Sequence, residues 1–579
     1  MPELTLSLRL STVFRLSACA ATLAIACPVV ADPNAGAYLA ARQAGLIGDY
    51  PAASGYFRDA LLSDANNLAL MEQTITAFVG TGEVQSAASI ARPFLEAGGE
   101  SQIANIALMA QAARAQDWDA IFELIEAGHE VGPLIDGLSQ AWAYMGKGDL
   151  DHALMRFDEV IETPGLRGFG QQHKALALAM SGDLESARNI YELPANVGVV
   201  PTRATVVAHI QILCQLGEFE RAADISNRAF GNDPDPELVA LREAINASEI
   251  PSLERVVSTP SAGISYAYKG LSDILAGEAN ESYLLLYAQA ARYIAPQDAD
   301  AHIAAARLLN ALDQYDTAAQ TFAQVSTEDP AYHSAEIGRA EALRLAGRSE
   351  QAIEVLTQLT RSHPELPLSH ASLGDIYRRE EQFTEARASY TAALEGYPES
   401  APIRWWLLYS RGISNERLDE WDAAETDFRA ALAINPDAPS VLNYLGYSMV
   451  DRGLIENYNE SLAMIEKAIA ARPDSGAIVD SLAWVYYKLG RYQDAVTPME
   501  RAAELEPNDP IISDHLGDVY WMVGRDVEAR FQWRRALSFK PEDAEAERIR
   551  RKLQIGLDAV YAEEGISPAP ALEVANGDE

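Results

Sequence analysis

Residues 474–507 read DSGAIVDSLAWVYYKLGRYQDAVTPMERAAELEP, and residues 508–541 read NDPIISDHLGDVYWMVGRDVEARFQWRRALSFKP. Each segment is 34 residues long, ends in proline and holds small residues at the same two places. Those small residues are Ala483 and Ala495 in the first segment, and Gly517 and Ala529 in the second. A period of this length is typical of helical hairpins that bury their apolar faces only against neighbouring hairpins. We therefore predict an all-α solenoid.

The same period extends upstream over seven units. The closing prolines are Pro296, Pro330, Pro364, Pro398, Pro436, Pro473, Pro507 and Pro541, 34 residues apart except for four extra residues before Pro436 and three before Pro473. Each unit keeps two small residues where its helices approach closely, because a large side chain there would force them apart. The first of these are Ala306, Ala340, Gly374, Gly412, Gly446, Ala483 and Gly517. The second are Ala318, Ala352, Ala386, Ala424, Ser461, Ala495 and Ala529.

This arrangement resembles the tetratricopeptide repeat (TPR) family over residues 298–541. The resemblance implies a right-handed superhelix of helix–turn–helix units whose first helices line a concave face. Weaker signs of the same hairpin lie nearer the amino terminus, where a Gly-Asp or Gly-Glu turn is followed five residues later by alanine. These turns begin at Gly48, Gly82, Gly148, Gly182 and Gly217. We expect degenerate repeats in that part of the chain.

We expect the chain to divide into six segments. Residues 1–31 are predicted as a signal peptide, 32–246 as degenerate TPR-like repeats, 247–263 as a joint, 264–541 as the TPR array, 542–561 as a capping helix and 562–579 as a disordered acidic tail. The joint is predicted from Pro251, Pro260 and the serines around them, which are typical of a connecting loop. The capping helix is predicted from the apolar stripe of Ile549, Leu553 and Leu557 in a charged segment.

The amino terminus has the features of an export signal. An apolar run at residues 16–26 follows two arginines, and small residues precede a cleavage site before Asp32. We therefore expect a periplasmic protein. The alternative is an outer-membrane lipoprotein with a lipid on Cys27, because the small residues before this cysteine loosely fit the lipid-attachment pattern. After cleavage only Cys214 remains, which excludes a disulfide within the chain. Nothing later in the sequence is long and apolar enough to predict a transmembrane span.

Composition and motifs argue against catalysis and against several classes of partner. The formal net charge of −39 should repel nucleic acid and anionic lipid headgroups. The nine histidines are scattered without a zinc-binding spacing, so no metal site or cofactor is expected. The glycine-rich residues 165–170 lie between predicted helices with no strand before them, which excludes a phosphate-binding loop. We predict that the protein is not an enzyme.

The TPR resemblance implies a binding groove on the concave face of the carboxy-terminal repeats. The residues implied for it are Trp406, Tyr409, Asn443, Tyr447, Asp480, Trp484, Tyr487, Asp514, Asp518 and Trp521. Rigid rings supply contact area at little entropic cost, and carboxylates orient backbone amides or basic side chains. We therefore expect protein or peptide partners. The alternative is that these rings pack between neighbouring first helices.

A narrower resemblance rests on residues 442–447, 480–487 and 515–521. These blocks are similar to exported bacterial TPR proteins that act as adaptors for carboxy-terminal processing proteases. The resemblance implies a scaffold that binds such a protease and brings substrates to it. The alternative is a periplasmic scaffold for polysaccharide export or envelope assembly, which would use the same solenoid. A third possibility is a hydrolase with an unfamiliar site in the amino-terminal half.

Overall fold

A computed structural model describes residues 33–194, 196–231, 235–250 and 257–568. Within these ranges the chain forms 31 α-helices, one 3-10 helix at Ile455–Asn457 and no β-strand. The predicted all-α solenoid is therefore confirmed. The predicted leader, residues 251–256 of the predicted joint and most of the predicted tail lie outside the described residues. The chain divides into two compact units, Met1–Leu359 and Thr360–Glu579.

The first unit is a series of helical hairpins. Its helices are α1 (Pro33–Leu46), α2 (Tyr50–Ser63), α3 (Leu68–Thr81), α4 (Val84–Glu96), α5 (Gln102–Ala115), α6 (Trp118–Glu126), α7 (Pro133–Gly146), α8 (Leu150–Glu162), α9 (Arg167–Ser181), α10 (Leu184–Tyr191), α11 (Arg203–Gln215), α12 (Phe219–Phe230), α13 (Pro236–Asn246), α14 (Pro260–Ile274), α15 (Glu281–Ile294), α16 (Ala299–Ala311), α17 (Tyr315–Phe322) and α18 (Tyr332–Leu345). The division between the units falls within α19 (Ser349–Ser362).

The second unit continues the alternation of first and second helices. Its helices are α20 (Pro367–Arg379), α21 (Phe383–Gly396), α22 (Arg404–Arg417), α23 (Trp421–Ile434), α24 (Pro439–Asp451), α25 (Tyr458–Ala471), α26 (Gly476–Lys488), α27 (Tyr492–Leu505), α28 (Pro510–Met522), α29 (Asp526–Ser538), α30 (Asp543–Ile555) and α31 (Leu557–Glu564). The three residues inserted before Pro473 fall in the turn that contains the 3-10 helix.

Caps and turn residues begin and end these helices. At the start of α28, the Asp509 carboxylate accepts hydrogen bonds from the backbone N–H groups of Ile511 at 2.8 Å and Ile512 at 2.9 Å. Between α26 and α27, Gly490 has φ of 73°, a left-handed conformation that glycine adopts without steric cost. Glu381 takes the equivalent place between α20 and α21 with φ of 58°, which is costly for a residue with a side chain.

The close approaches predicted within each hairpin are present. A Cβ atom built on Gly374 would lie 2.8 Å from the ring of Tyr390, and one built on Gly412 would lie 2.6 Å from the ring of Phe428. Ala495 has no exposed surface. Because no side chain larger than these fits between the helices, the register predicted from the prolines and small residues is the register of the fold.

Helices α14 and α15 depart from the expected order. Helix α14 begins at Pro260, inside residues 247–263 that were expected to form a joint. It packs against α7, whereas α15 packs against α3 and α5, so this hairpin covers first helices of the amino-terminal repeats. Nine of the fourteen residues of α15 are buried, which is typical of a helix enclosed on most sides rather than on one. Helix α15 also packs against α16, the next helix in sequence, so the hairpin contacts both its sequence neighbour and the amino-terminal repeats.

The capping segment also differs from its prediction. A single helix was expected over residues 542–561, but the structure has two helices, α30 and α31, separated by Gly556. Gly556 has φ of 86° and ψ of 159°, a conformation that ends the first helix and that a residue with a side chain rarely adopts. A Cβ atom on Gly556 would also lie 2.7 Å from the ring of Trp521. The break therefore turns the chain towards the inner face of the preceding repeats.

Candidate protein-binding groove

The ten residues expected to form the groove lie on four first helices of the second unit. Helix α22 carries Trp406 and Tyr409, α24 carries Asn443 and Tyr447, α26 carries Asp480, Trp484 and Tyr487, and α28 carries Asp514, Asp518 and Trp521. Residues on α22 and α24 are partly exposed, whereas most of those on α26 and α28 are buried. We call Trp406, Tyr409, Asn443 and Tyr447 the open groove, and the six others the covered groove.

The open groove is a surface of aromatic rings. The rings of Trp406 and Tyr409 lie 5.6 Å apart between centroids, and the ring of Tyr409 lies 6.0 Å from that of Tyr444 on the next first helix. Burial raises the pKa of Tyr409 and of Tyr447, so both phenols stay neutral at physiological pH. These rings offer apolar area with a hydroxyl tip, the kind of side chain that dominates the energy of protein interfaces.

Asn443 adds an unused polar atom to the open groove. Its side-chain oxygen Oδ1 is buried and accepts no hydrogen bond within the described part of the chain. A buried acceptor without a donor costs about 1–3 kcal/mol. This oxygen has almost no accessible surface, so a partner could donate to it only after the side chain turned outward.

In the covered groove, Trp484 lies inside a stack of rings. Its ring lies 4.7 Å from that of Tyr487 with an angle of 3° between the planes, and 3.8 Å from the imidazole of His515 with an angle of 13°. Trp484 is 6% exposed and Tyr487 is 3% exposed. The alternative interpretation, that the rings pack between first helices, therefore describes these two residues.

The carboxylates of the covered groove are held by α30. Lys552 has no exposed surface, and its Nζ lies 2.6 Å from Asp514 Oδ2 and 2.7 Å from both carboxylate oxygens of Asp518. Trp533 Nε1 also donates to Asp518 Oδ1 at 2.9 Å. These carboxylates thus serve an internal ion network, which stabilises the position of α30.

Helix α31 lies against the aromatic residues of the same face. The hydroxyl groups of Tyr487 and Tyr561 lie 2.7 Å apart, and Trp521 Nε1 donates to Asp558 Oδ2 at 3.1 Å. The chain's own helices therefore contact the covered groove, where Asp514 and Trp521 keep partial exposure, whereas all four residues of the open groove are partly exposed. The role of any of the ten residues in binding a partner stays a prediction.

His515 and Asp480 complete the buried network. His515 Nδ1 lies 3.0 Å from Asp480 Oδ1. Burial lowers the pKa of His515, but the Asp480 carboxylate, with Asp514 and Asp518 nearby, outweighs it, and the net shift is upward. The histidine is therefore stabilised as the cation that offsets part of the charge of three neighbouring aspartates.

Sequence reasoning missed Lys552, although one signal was present. In the predicted capping helix, Lys552 lies next to Leu553 of the apolar stripe, where a charge is unexpected. Asp514 and Asp518 lie four residues apart on the inner face of α28 and need a cation if they are buried. A lysine beside the apolar stripe and two carboxylates that need a cation together predict the contact between α28 and α30.

The inner face of the amino-terminal repeats is likewise occupied by the chain itself. Ser261 Oγ donates to the Ala113 carbonyl at 2.7 Å, and Gln289 Nε2 donates to the Gly80 carbonyl at 2.9 Å. A Cβ atom on Gly263 would lie 2.3 Å from the indole of Trp142. Helices α14 and α15 therefore fill this face closely, and no groove residue was predicted there.

Other sequence candidates have structural roles. Cys214 is buried, and burial raises the pKa of its thiol to about 11, which suppresses the reactive thiolate. The glycine-rich residues 165–170 span the turn before α9 and its first residues. No group of three or more metal-binding side chains converges in the described ranges. In the same ranges, no helix combines the length and apolar character needed to cross a membrane.

Comparison with known proteins bears on the carboxy-terminal half. A family model described as tetratricopeptide repeat matches residues 337–401, 372–439, 455–510 and 481–544. This part of the chain is built of tetratricopeptide repeats. The TPR repeat-containing protein PA4667 of Pseudomonas aeruginosa is 30% identical over 194 residues, which are 33% of this chain and 31% of that protein. Protein O-mannosyl-transferase TMTC1 of Homo sapiens is 22% identical over 170 residues, 29% of this chain and 19% of that protein.

The similarity to solved structures is low both in TM-score and in sequence identity. The APC/C hetero-tetramer Cut9-Hcn1 has a TM-score of 0.39 and 13% identity, covering 91% of this chain and 96% of that one. A tetratricopeptide repeat protein from Parabacteroides merdae has a TM-score of 0.37 and 17% identity, covering 45% and 98%. The TPR segment spans less than a third of the PA4667 protein and of TMTC1, so the activities of those whole proteins do not transfer to this chain.

Proposed function

We propose that this protein is an exported, non-catalytic TPR scaffold that binds protein partners on the inner face of its carboxy-terminal repeats. The observation that carries the proposal is the partial exposure of Trp406, Tyr409 and Tyr447 on an inner face whose other half is covered by α30 and α31. Partly exposed aromatic rings supply apolar contact area for a partner. Protein interfaces concentrate their binding energy in such anchors.

More specifically, we propose that the protein is an adaptor that brings substrates to a carboxy-terminal processing protease. It is supported by the resemblance of residues 442–447, 480–487 and 515–521 to such adaptors. Part of that resemblance falls on Trp484, His515 and Asp518, which the structure places in the buried network. In this proposal Asp518 holds α30 through Lys552, and the open groove supplies the contact with the partner.

The test is affinity capture from an envelope extract with three forms of the protein. The double variant Trp406→Ala with Tyr409→Ala removes two rings of the open groove. We expect it to lose a captured carboxy-terminal processing protease, because anchors of this type contribute about 2 kcal/mol or more each. The control is Phe531→Ala, which removes an aromatic ring that is 62% exposed on the second helix α29. Thermal melting of all three forms distinguishes lost binding from lost folding.

Two outcomes would contradict this proposal in different ways. A folded double variant that captures the protease as well as the wild type would exclude the open groove as the docking surface. Capture of polysaccharide-export or envelope-assembly proteins in place of a protease, lost in the double variant, would support the alternative scaffold role.

Export is a separate part of the proposal. It rests on the leader predicted at residues 1–31. We expect the mature protein to begin at Asp32 and to stay soluble after cell fractionation. Intact-mass measurement of the purified protein locates the amino terminus. Fatty-acid labelling that disappears in a Cys27→Ala variant would establish the lipoprotein alternative and overturn simple secretion.

A further inference from the structure

Helix α31 occupies a defined place on the inner face of the second unit. It contacts Tyr487 on α26, Trp521 on α28, and Arg548 and Arg551 on α30. We call these four residues the α31 seat. The seat is filled by a helix of eight residues that belongs to the same chain. Its contacts with α31 therefore show which chemistry the seat accepts.

One part of the contact is an apolar stripe with two hydrogen bonds beside it. Three residues of α31 are buried and lie on one side of the helix, at spacings of three and four: Leu557, Val560 and Tyr561. The hydroxyl groups of Tyr561 and Tyr487 lie 2.7 Å apart. Trp521 Nε1 donates to Asp558 Oδ2 at 3.1 Å. The seat thus accepts the apolar side of an amphipathic helix.

The other part of the contact pairs arginines with carboxylates. Arg548 Nε and Nη2 donate to the two carboxylate oxygens of Glu564 at 2.8 and 3.1 Å. Arg551 Nη2 donates to Glu563 Oε1 at 2.5 Å. Forked pairs of this kind favour a carboxylate over a neutral acceptor. The helix that fills the seat must therefore be acidic as well as amphipathic.

The attachment of α31 is weaker than that of α30. Lys552 holds α30 by fully buried contacts with Asp514 and Asp518, and α31 takes no part in them. The ion pairs of α31 have side chains that are 31–53% exposed, so each contributes little. A helix of eight residues is also too short to be stable alone in water. Helix α31 is therefore the part of this face that is released first, at Gly556.

We propose that the α31 seat is a second docking surface, which binds an acidic amphipathic helix of a partner protein once α31 is released. Helix α31 is then an internal competitor of the partner. Arg548 and Arg551 belong to four basic residues within 548–552, in a chain whose net charge is −39, so an acidic helix is attracted here rather than elsewhere. The open groove uses other residues, and this proposal does not depend on its function.

The first test asks whether α31 is released independently of α30. The loosened variant, Val560→Ala with Tyr561→Ala, removes two apolar contacts of α31 and leaves the seat unchanged. Hydrogen exchange in the full chain should become at least about tenfold faster at residues 557–564, while residues 543–555 keep their protection. The control is Ala562→Ser, at an exposed position of α31, which should exchange like the wild type. An equal loss of protection in α30 would overturn α31 as a separate competitor.

The second test measures binding to the seat by fluorescence anisotropy. The probe is a labelled peptide with the sequence of residues 556–566, GLDAVYAEEGI. It should bind the loosened variant at least about tenfold more tightly than the wild type, because tethered α31 competes at an effective concentration on the order of 1 mM. A neutral peptide with Asp558→Asn, Glu563→Gln and Glu564→Gln should bind the loosened variant at least about threefold more weakly, because it lacks the carboxylates.

A matched pair of arginine variants locates the bound peptide. In the loosened variant, Arg551→Gln removes the partner of Glu563 and should weaken peptide binding about threefold. Arg550→Gln removes the same charge, but its ion pair with Glu547 lies within α30, so binding should not change. Equal binding of the peptide by the loosened variant and the wild type would overturn the seat as a docking surface. Equal binding of the neutral peptide would overturn an acidic partner. Wild-type dimers that disappear in the loosened variant would assign the seat to a second copy of this chain and overturn a different partner.

Discussion

A Cβ atom on Gly517 would lie 2.4 Å from the indole of Trp533, the bulky residue of the same hairpin. Trp533 has no exposed surface, and its Nε1 donates to Asp518 at 2.9 Å. The indole cannot shift without disturbing that hydrogen bond and the contacts around it. The absence of a side chain at residue 517 is thus a requirement of packing in the last complete repeat.

Gly517→Ala should therefore destabilise the protein, although alanine is the better helix former. Overpacking of this kind costs about 1–3 kcal/mol, more than the helix propensity gained. The measurement is the midpoint of thermal unfolding. The control is Gly55→Ala in α2, where nothing lies within 4 Å of the added Cβ atom. That change should raise stability by about 0.5–1 kcal/mol; a decrease in both variants would contradict the steric explanation.

At Glu381 we expect the opposite effect, a substitution that raises the free energy of unfolding. It has φ of 58° in the turn between α20 and α21, a position where some hairpins, such as that of Gly490, have glycine. The left-handed conformation costs a residue with a side chain about 1–2 kcal/mol. We expect Glu381→Gly to raise the free energy of unfolding by about 1 kcal/mol. Glu385→Gly, in the first turn of α21, should lower it by about as much, because glycine disfavours a helix.

His173 predicts how stability depends on pH. Trp142 Nε1 donates to His173 Nδ1 at 2.9 Å, and an imidazolium cannot accept that hydrogen bond. Burial lowers the pKa of His173 to about 3, below the value of about 6.5 expected in the unfolded chain. The folded state thus binds fewer protons. This part of the stability is fully present above pH 6.5 and is lost as pH falls towards 3, by up to about 1.4 kcal/mol per pH unit.

The measurement for His173 is the melting temperature between pH 7 and pH 4. Carboxylates also titrate in this range, so the decisive quantity is the difference in slope between variants. His173→Asn should lose less stability on acidification than the wild type does. His129→Asn removes a partly exposed histidine and should keep the wild-type slope. A wild-type slope in His173→Asn would show that the buried imidazole does not control the acid response.

The repeat fold was predictable because its rules are local. Within one hairpin, Gly517 and Trp533 are sixteen residues apart, and each of the seven units repeats the same small and bulky positions. A local rule that recurs many times is visible in a single sequence. The alternation of first and second helices from α16 to α29 follows from that rule.

The occupants of the inner faces were not predictable in the same way. The hydrogen bond from Gln289 to Gly80 joins residues 209 apart, and Lys552 meets Asp518 across 34 residues. Each such contact occurs only once, so the sequence has no repeating pattern that would predict it. Trp484, Tyr487 and Asp518 were expected to face a partner but lie in the interior. The binding role of the other groove residues stays a prediction.

Lys552 gives the prediction that tests how the covered groove is held. Its Nζ is fully buried between Asp514 and Asp518, and Lys552→Met would remove the cation that contacts both carboxylates, leaving Arg548 Nη1 at 4.0 Å from Asp518. Removal of one partner from a buried ion pair costs about 3–5 kcal/mol. We expect a large fall in melting temperature. Arg550→Met removes an exposed cation from the same helix and should cost no more than about 0.5 kcal/mol.

A second variant distinguishes the loss of an ion pair from a mere packing defect. Combining Lys552→Met with Asp514→Asn and Asp518→Asn removes the uncompensated charge while keeping the side-chain shapes and an acceptor for Trp533. If charge is the cause, the triple variant should recover most of the stability lost by Lys552→Met, because a neutral network no longer needs a counterion. A triple variant less stable than the single one would show that α30 is held by packing around the lysine chain, with the carboxylates contributing independently.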